Sequence, residues 1–251
     1  MDGKQKRVKY KKSALREVIF QVRFPSILKI SAEEPSAFQE LIRAKYPLYT
    51  DNRNDTIVNV NGQEQTVSRV HNHQFVSADG LSKVNLTNSF VAVSTLAYDR
   101  WELFKEECER VLNLFGQVYN PTVVLRVGLR YKDVITRSKW GLDAVSWSEL
   151  INEKELGIMS DFSEEKVNIY ALDFEMVADD NVVEHRHFEL IRENTSPNEK
   201  SFLIDCDYYS QGILRLDGVM VIAEQLHDHS SNFIRSVISD RLNDAMEPES
   251  I

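Results

Sequence analysis

Hydrophobic and polar residues alternate along the segment from Leu15 to Pro25. Successive side chains of a strand point to opposite faces of a sheet, so the alternation predicts a half-buried strand that Pro25 ends. The apolar side of this strand carries Val18, Phe20, Val22 and Phe24. Further along, apolar residues recur at helical spacing and predict a short helix that opens at Pro35 and cannot pass Pro47.

A meander of short strands is predicted between Thr56 and Leu96. The five β-rich segments are Ile57 to Val60, Thr66 to Val70, Gln74 to Ser77, Ser82 to Leu86 and Phe90 to Leu96. Asn61-Gly62 and Asp79-Gly80 separate two pairs of these segments. Glycine adopts the positive φ of a tight turn at no steric cost, so the two dipeptides predict two hairpins.

Helical periodicity returns in two long segments. The first runs from about Asp99 to Phe115, with Gly116 as its expected C-cap. Its apolar stripe consists of Trp101, Phe104, Cys108, Val111, Leu112 and Phe115. The second runs from about Gly218 to Met246. Its stripe consists of Val221, Ile222, Leu226, Phe233, Ile234, Val237, Ile238 and Leu242. Both stripes predict amphipathic helices that pack on a sheet.

Four more β segments lie between these helices, at 123–135, 167–176, 183–193 and 202–209. The whole pattern predicts an α+β fold, in which two long amphipathic helices accompany one or more largely antiparallel sheets. The order strand, meander, long helix occurs twice, which is typical of an internal duplication. We therefore expect a disordered basic arm at 1–13, a first α+β half at 14–121 and a second half at 122–248 packed with the first.

The net charge of −9 is unevenly distributed along the chain. The first twelve residues carry six basic side chains and one acid, so the remainder carries −9 − 5 = −14. A solvated arm is the commonest meaning of such a basic run, and contact with nucleic acid is the alternative. The acidic remainder repels phosphates unless its basic groups lie on one face.

The two cysteines, Cys108 and Cys206, lie in apolar segments, as reduced thiols of a cytosolic protein do. No run of 18 or more apolar residues occurs, and the first residues lack the apolar core of a signal peptide. We expect a cytoplasmic protein with no membrane partner and no cofactor.

All six histidines occur in His-x-His pairs, at 71/73, 185/187 and 227/229. On a strand, residues i and i+2 share a face, so His185, His187 and Glu189 could offer two imidazoles and a carboxylate to one metal. Asp205 and Asp207 form a similar Asp-x-Asp pair, which suits divalent cations. The alternative for both sets is a solvated polar strand face.

Basic side chains alternate along the strand at 123–135, where Arg126, Arg130 and Lys132 share a face. Together with Arg23, the two arginines could form an anion-binding pocket, because guanidinium groups match phosphate and carboxylate geometry. The alternative is pairing with Glu17, Asp133 or other acids. The chain contains no Gly-x-Ser-x-Gly motif and no glycine-rich phosphate loop, and neither cysteine has an adjacent base, so we predict no catalytic residue.

Three sequence blocks are similar to a sporadically distributed bacterial family of unknown function: LREVIFQVRFP at 15–25, YDRWELF at 98–104 and RVGLRY at 126–131. The segment LIDCDYY at 203–209 resembles a downstream strand of the same family. The family has no established activity, so the resemblance implies no catalytic residue. Its patchy distribution is usual for genes of defence islands and implies a component of a bacterial defence or toxin–antitoxin-like module.

Three functional hypotheses follow from the sequence. The first is a non-enzymatic protein-interaction or regulatory component that binds a protein partner or itself, since long antiparallel edges favour strand addition or homo-oligomers. The second is a metal-dependent hydrolase acting on nucleic acid or nucleotides through the predicted metal residues. The third is a sensor of a small anionic ligand.

Overall fold

A computed structural model describes residues 8–60, 63–178, 181–193, 199–231 and 233–250 of the chain. The strands are β1 (Val8–Tyr10), β2 (Leu15–Arg23), β3 (Leu48–Val60), β4 (Gln63–Val76), β5 (Ser82–Leu86), β6 (Phe90–Thr95), β7 (Val124–Ile135), β8 (Ala171–Val177), β9 (Val183–Ile191), β10 (Ser201–Leu214) and β11 (Pro248–Ser250). The helices are α1 (Leu28–Ala32), α2 (Ser36–Ile42), α3 (Trp101–Tyr119), α4 (Glu153–Leu156), α5 (Val219–Ser230), α6 (Phe233–Val237) and α7 (Asp240–Ala245). None of these helices is long and apolar enough to cross a membrane.

Nine of the described strands form one antiparallel sheet in the order β3-β4-β5-β6-β2-β7-β10-β9-β8. The predicted α+β class is therefore confirmed. The strands β3 and β8 stand at the two ends of this order. Each of them has a strand neighbour on one side only, among the residues that the structure describes.

The chain divides into two compact units, and neither is continuous in sequence. The first unit comprises Met1–Val18, Leu129–Tyr209 and Glu224–Ile251. The second comprises Ile19–Gly128 and Ser210–Ala223. The strands β2, β7 and β10 each contribute residues to both units. The predicted division into sequence halves at 14–121 and 122–248 stays a prediction.

The alternation that predicts β2 reflects real burial. Val18, Phe20, Val22 and Phe24 are all at most 2% exposed. The stripe of α3 is also buried, from Trp101 to Phe115. The helix does not end at the expected Gly116; it continues to Tyr119, where Asn120 takes the left-handed conformation with φ 39°. A Cβ on Gly116 would lie 3.4 Å from the Leu216 side chain, so α3 and Leu216 approach each other closely at this position.

The predicted long C-terminal helix is in fact three helices. Helix α5 ends at Ser230, α6 is a single short segment and α7 begins after Ser239. The Ser239 hydroxyl accepts a hydrogen bond from the backbone N–H of Leu242 at 3.3 Å, which caps α7. Serine is common at this capping position, because its hydroxyl oxygen accepts a hydrogen bond from a first-turn N–H that has no partner within the helix.

The predicted hairpin at Asp79-Gly80 is present. Gly80 has φ +75°, and Ser77 N–H donates to the Ser82 carbonyl at 2.9 Å across the turn between β4 and β5. The other predicted turn, Asn61-Gly62, lies outside the described residues, between two strands that pair with Val60 opposite Gln63.

The end of the predicted disordered arm is ordered. Residues 1–7 lie outside the described residues, whereas β1 pairs antiparallel with β11, with Val8 opposite Ser250. Two ion pairs support this ladder, from Lys12 to Glu247 at 2.6 Å and from Lys11 to Glu249 at 3.1 Å.

Candidate functional site

The structure brings all five predicted metal-ligating residues to one face of the first unit's sheet. In the β9–β10 register His185 lies opposite Asp207, and His187 lies opposite Asp205. Strand β8 adds Asp173 opposite His187 and Glu175 opposite His185. Directly opposite residues of an antiparallel pair share a face. The polar face therefore consists of Asp173, Glu175, His185, His187, Glu189, Asp205 and Asp207.

The side chains of this polar face pair with each other. His185 Nε2 lies 2.5 Å from Asp173 Oδ1, and His187 Nε2 lies 3.2 Å from Glu189 Oε2. Within the described residues, one group of three histidine or carboxylate ligands has all its ligand atoms within 4.8 Å of one another, and that group is Asp51, His71 and His73. Metal binding by the polar face stays a prediction.

The arginines predicted to bind an anion each contact other residues of the protein. Arg130 forms a bidentate ion pair with Asp205, with both N–O distances at 2.6 Å. Arg23 Nε donates to Gln21 Oε1 at 2.9 Å. The Arg126 guanidinium lies over Gly128, where any Cβ would collide with it. The bond to Asp205 raises the pKa of Arg130, so this arginine is fully charged and already neutralised by a carboxylate.

The outer edge of β8 exposes a row of backbone hydrogen-bonding groups. Leu190 N–H donates to the Tyr170 carbonyl at 3.1 Å, and Ala178 N–H donates to the Val182 carbonyl at 2.8 Å. Antiparallel pairs alternate between hydrogen-bonded and non-hydrogen-bonded, so the even-numbered residues of β8 bond to β9. The backbone groups of Ala171, Asp173, Glu175 and Val177 consequently point away from β9. We call this row the β8 edge.

The two faces of β8 differ in chemistry. On one face Phe174 is 38% exposed and Met176 is 41% exposed, so the two side chains form a short exposed apolar row. On the other face Asp173 and Glu175 belong to the polar face. A strand added to the β8 edge would cover the apolar row and meet the acidic row.

An ion pair behind the edge supports the apolar row. Glu184 is 6% exposed and accepts a short hydrogen bond from Arg186. His229 Nδ1 lies 3.2 Å from the same carboxylate. The Arg186 guanidinium lies 4.1 Å from the centre of the Phe233 ring and 5.7 Å from that of Phe174. Arg186 lies within cation–π distance of both rings, so the ion pair positions a guanidinium beside the edge residue Phe174 and beside Phe233 of α6.

A second carboxyl group is buried in the first unit. Asp133 is 9% exposed, and burial raises its pKa from 3.8 to about 7, with a further contribution from the nearby Asp205 charge. From the sequence alone, Asp133 is an alternative ion-pair partner of the predicted anion-binding arginines. The alternation along β7 carries the signal for this burial, because Asp133 lies on the same face of the strand as the apolar Leu129 and Tyr131.

Both cysteines are free and buried. Burial raises the pKa of the Cys108 and Cys206 thiols above the ordinary value. A protonated thiol is a poor nucleophile. The prediction that neither cysteine is a nucleophile agrees with this environment.

Comparison with models of known protein families and with curated proteins gives no match to this chain. The family resemblance of the three sequence blocks stays a prediction.

Proposed function

We propose that this protein is a non-enzymatic interaction component that binds an extended segment of a partner protein along the β8 edge. The observation that carries the proposal is the edge itself, with four outward-pointing residues and exposed Phe174 and Met176 beside them. Natural proteins usually cover or charge such edges, because an open edge is a template for strand pairing. Main-chain hydrogen bonds give affinity in this mode, and alternate side chains give specificity.

The chemistry of the edge specifies its partner. Side chains directly opposite each other in a new antiparallel pair would share a face, so apolar residues of the partner would cover Phe174 and Met176. The partner residues at the alternate positions, between the apolar ones, would lie on the face of Asp173 and Glu175. The best partner segment therefore alternates apolar residues with lysine or arginine.

A second copy of this chain fits the edge less well. A pairing of two β8 strands centred between residues 173 and 175 keeps the apolar rows together, and it brings Asp173 and Glu175 against the same acids of the second copy. Like charges directly opposite are destabilising. The edge thus favours a different protein, and the resemblance to a patchily distributed bacterial family supports a partner within a defence or toxin–antitoxin-like module.

The proposal predicts that charge reversal at the edge releases the partner. Glu175→Lys places a cation where the partner segment carries cations, so we expect recovery of the partner to fall at least about tenfold. Val177→Pro removes an outward N–H without breaking the β8–β9 ladder and should have a similar effect. The measurement is affinity purification from the native host with quantitative mass spectrometry, followed by titration of the purified partner.

Asp143→Lys is the matched control, because Asp143 is an exposed turn residue and the charge change is the same. It should bind the partner like the wild type. A partner that binds both edge variants with wild-type affinity would contradict the proposal, as would a protein that is always recovered alone. Light scattering after size-exclusion chromatography tests self-association, and a dimer that Val177→Pro dissociates would identify a second copy of the chain as the occupant of the edge.

A further inference from the structure

A group of two histidines and one aspartate lies on the β3–β4 hairpin of the second unit. Asp51 of β3 is directly opposite His73 of β4, and His71 lies two residues before His73 on the same face. The two imidazole rings are stacked with their centres 5.8 Å apart and their planes 15° apart. We call Asp51, His71 and His73 the hairpin triad.

A register shift creates the triad. The pairing of β3 with β4 shifts between Thr56 and Ile57, where β4 carries one additional residue. Without this shift the register at Val60 and Gln63 would continue and place Asp51 opposite Asn72. A change of one residue moves a side chain to the other face of a sheet. The bulge therefore brings the carboxylate of Asp51 to the same face as the two imidazoles, as bulges near functional sites often do.

The distances within the triad match those between ligands of one metal ion. Asp51 Oδ2 lies 3.0 Å from His71 Nδ1, and Asp51 Oδ1 lies 3.8 Å from His73 Nδ1. Ligand atoms at about 2.0–2.2 Å from one ion lie about 3.0–3.5 Å from each other. The triad thus needs only small side-chain movements to place three ligand atoms around an ion. The metal would replace the proton that His71 shares with Asp51.

The surroundings of His73 support its role as a ligand. Its Nε2 lies 3.4 Å from the Ile30 carbonyl oxygen, which can only accept a hydrogen bond, so Nε2 carries the proton. In the neutral ring Nδ1 then keeps its lone pair on the side of Asp51. Histidine ligands commonly donate their other N–H to a backbone carbonyl in this way, which fixes the ring and its tautomer.

The ring of His73 is buried, with 3% of the residue exposed. The Tyr49 hydroxyl lies 3.0 Å from His73 Nδ1 and donates to it when Nε2 carries the proton, so a metal ion at Nδ1 would displace this hydrogen bond.

We propose that the hairpin triad is a binding site for a divalent transition metal of the zinc class, with Asp51, His71 and His73 as its three protein ligands. Two imidazoles and one carboxylate suit zinc and its neighbours, whereas calcium and magnesium prefer oxygen ligands alone. Three protein ligands leave a further position for water or a bound molecule. This site is independent of the proposed binding edge.

The test is titration of chelator-treated full-length protein with Zn²⁺ in competition with a chromophoric chelator. We expect one high-affinity Zn²⁺ per chain. Asp51→Asn and His71→Ala should each weaken this binding about 100-fold or more. Co²⁺ gives a second readout, because its visible absorption reports nitrogen and oxygen coordination, and the same two variants should abolish that spectrum.

The matched control is His229→Ala, which removes a histidine from another His-x-His pair that also lies beside a carboxylate, that of Glu184. It should bind Zn²⁺ like the wild type. Circular dichroism of each variant shows whether it has folded, and Asp51→Asn preserves shape if His71→Ala does not fold. The proposal is overturned if the wild type binds no Zn²⁺ at micromolar concentrations. It is also overturned if the His229 variant loses the bound ion, or if both triad variants keep it.

Discussion

Replacing Asp133 by asparagine should stabilise the protein above pH 7 and change its stability little at pH 4. Asp133 is buried, and its pKa rises from 3.8 to about 7 on folding. A carboxyl group with a raised pKa stabilises the native state fully below pH 3.8 and loses that contribution as pH rises through about 7. Asparagine has no charge to bury. The difference between the two pKa values corresponds to about 4 kcal/mol, so we expect a gain of about 2–4 kcal/mol at pH 8.

Urea unfolding of the wild type and Asp133→Asn at pH 4, 6 and 8 measures this effect. Asp143→Asn, an amide substitution at an exposed position, is the control and should show no comparable pH-dependent gain. Equal stability of the wild type and Asp133→Asn at pH 8 would mean that Asp133 is ionised at little cost in the folded protein.

The second large effect should come from the buried ion pair behind the β8 edge. Glu184→Gln keeps the shape of the side chain but leaves the Arg186 guanidinium, whose side chain is 22% exposed, without its carboxylate. Removing one partner of a buried pair costs about 3–5 kcal/mol, and partial exposure of Arg186 reduces this to about 2–4 kcal/mol. The Phe174 ring should become more mobile, because Arg186 contacts it.

A double-mutant cycle with Arg186→Met separates the charge from the packing. Methionine keeps contact with the Phe233 ring and removes the cation, so Glu184→Gln should cost much less in the Arg186→Met background. The measurement is the free energy of unfolding of the four proteins at pH 7. Additive effects of the two substitutions would show that Glu184 and Arg186 do not stabilise each other.

The sequence predicts the elements whose signal is local. The buried side of β2 follows from strict alternation, and the stripe of α3 follows from helical spacing. The hairpin at Asp79-Gly80 follows from turn chemistry, because Gly80 takes the positive φ that such a turn requires. In each case the residues that determine the structure lie close together in the sequence, within one strand, one helix or one turn.

Features that depend on distant residues are not predicted. Asp51 belongs to the hairpin triad only because of the register shift at Thr56 and Ile57, and no local pattern marks that bulge. Gly116 costs about 1 kcal/mol inside a helix, yet α3 continues through it to Tyr119, beside the side chain of the distant Leu216. The acids Asp173 and Glu175 join the predicted histidines through strand pairing, which periodicity does not specify.

The pairing of β1 with β11 has a consequence for the order of folding during synthesis. Val8 pairs with Ser250, so β1 has no ladder partner until the last residues of the described chain have left the ribosome. Contacts between residues so far apart in sequence carry the largest loop-closure cost and form late. The β1–β11 ladder should therefore form after the strands of the main sheet have paired, and Lys11 and Lys12 gain their carboxylate partners only with it.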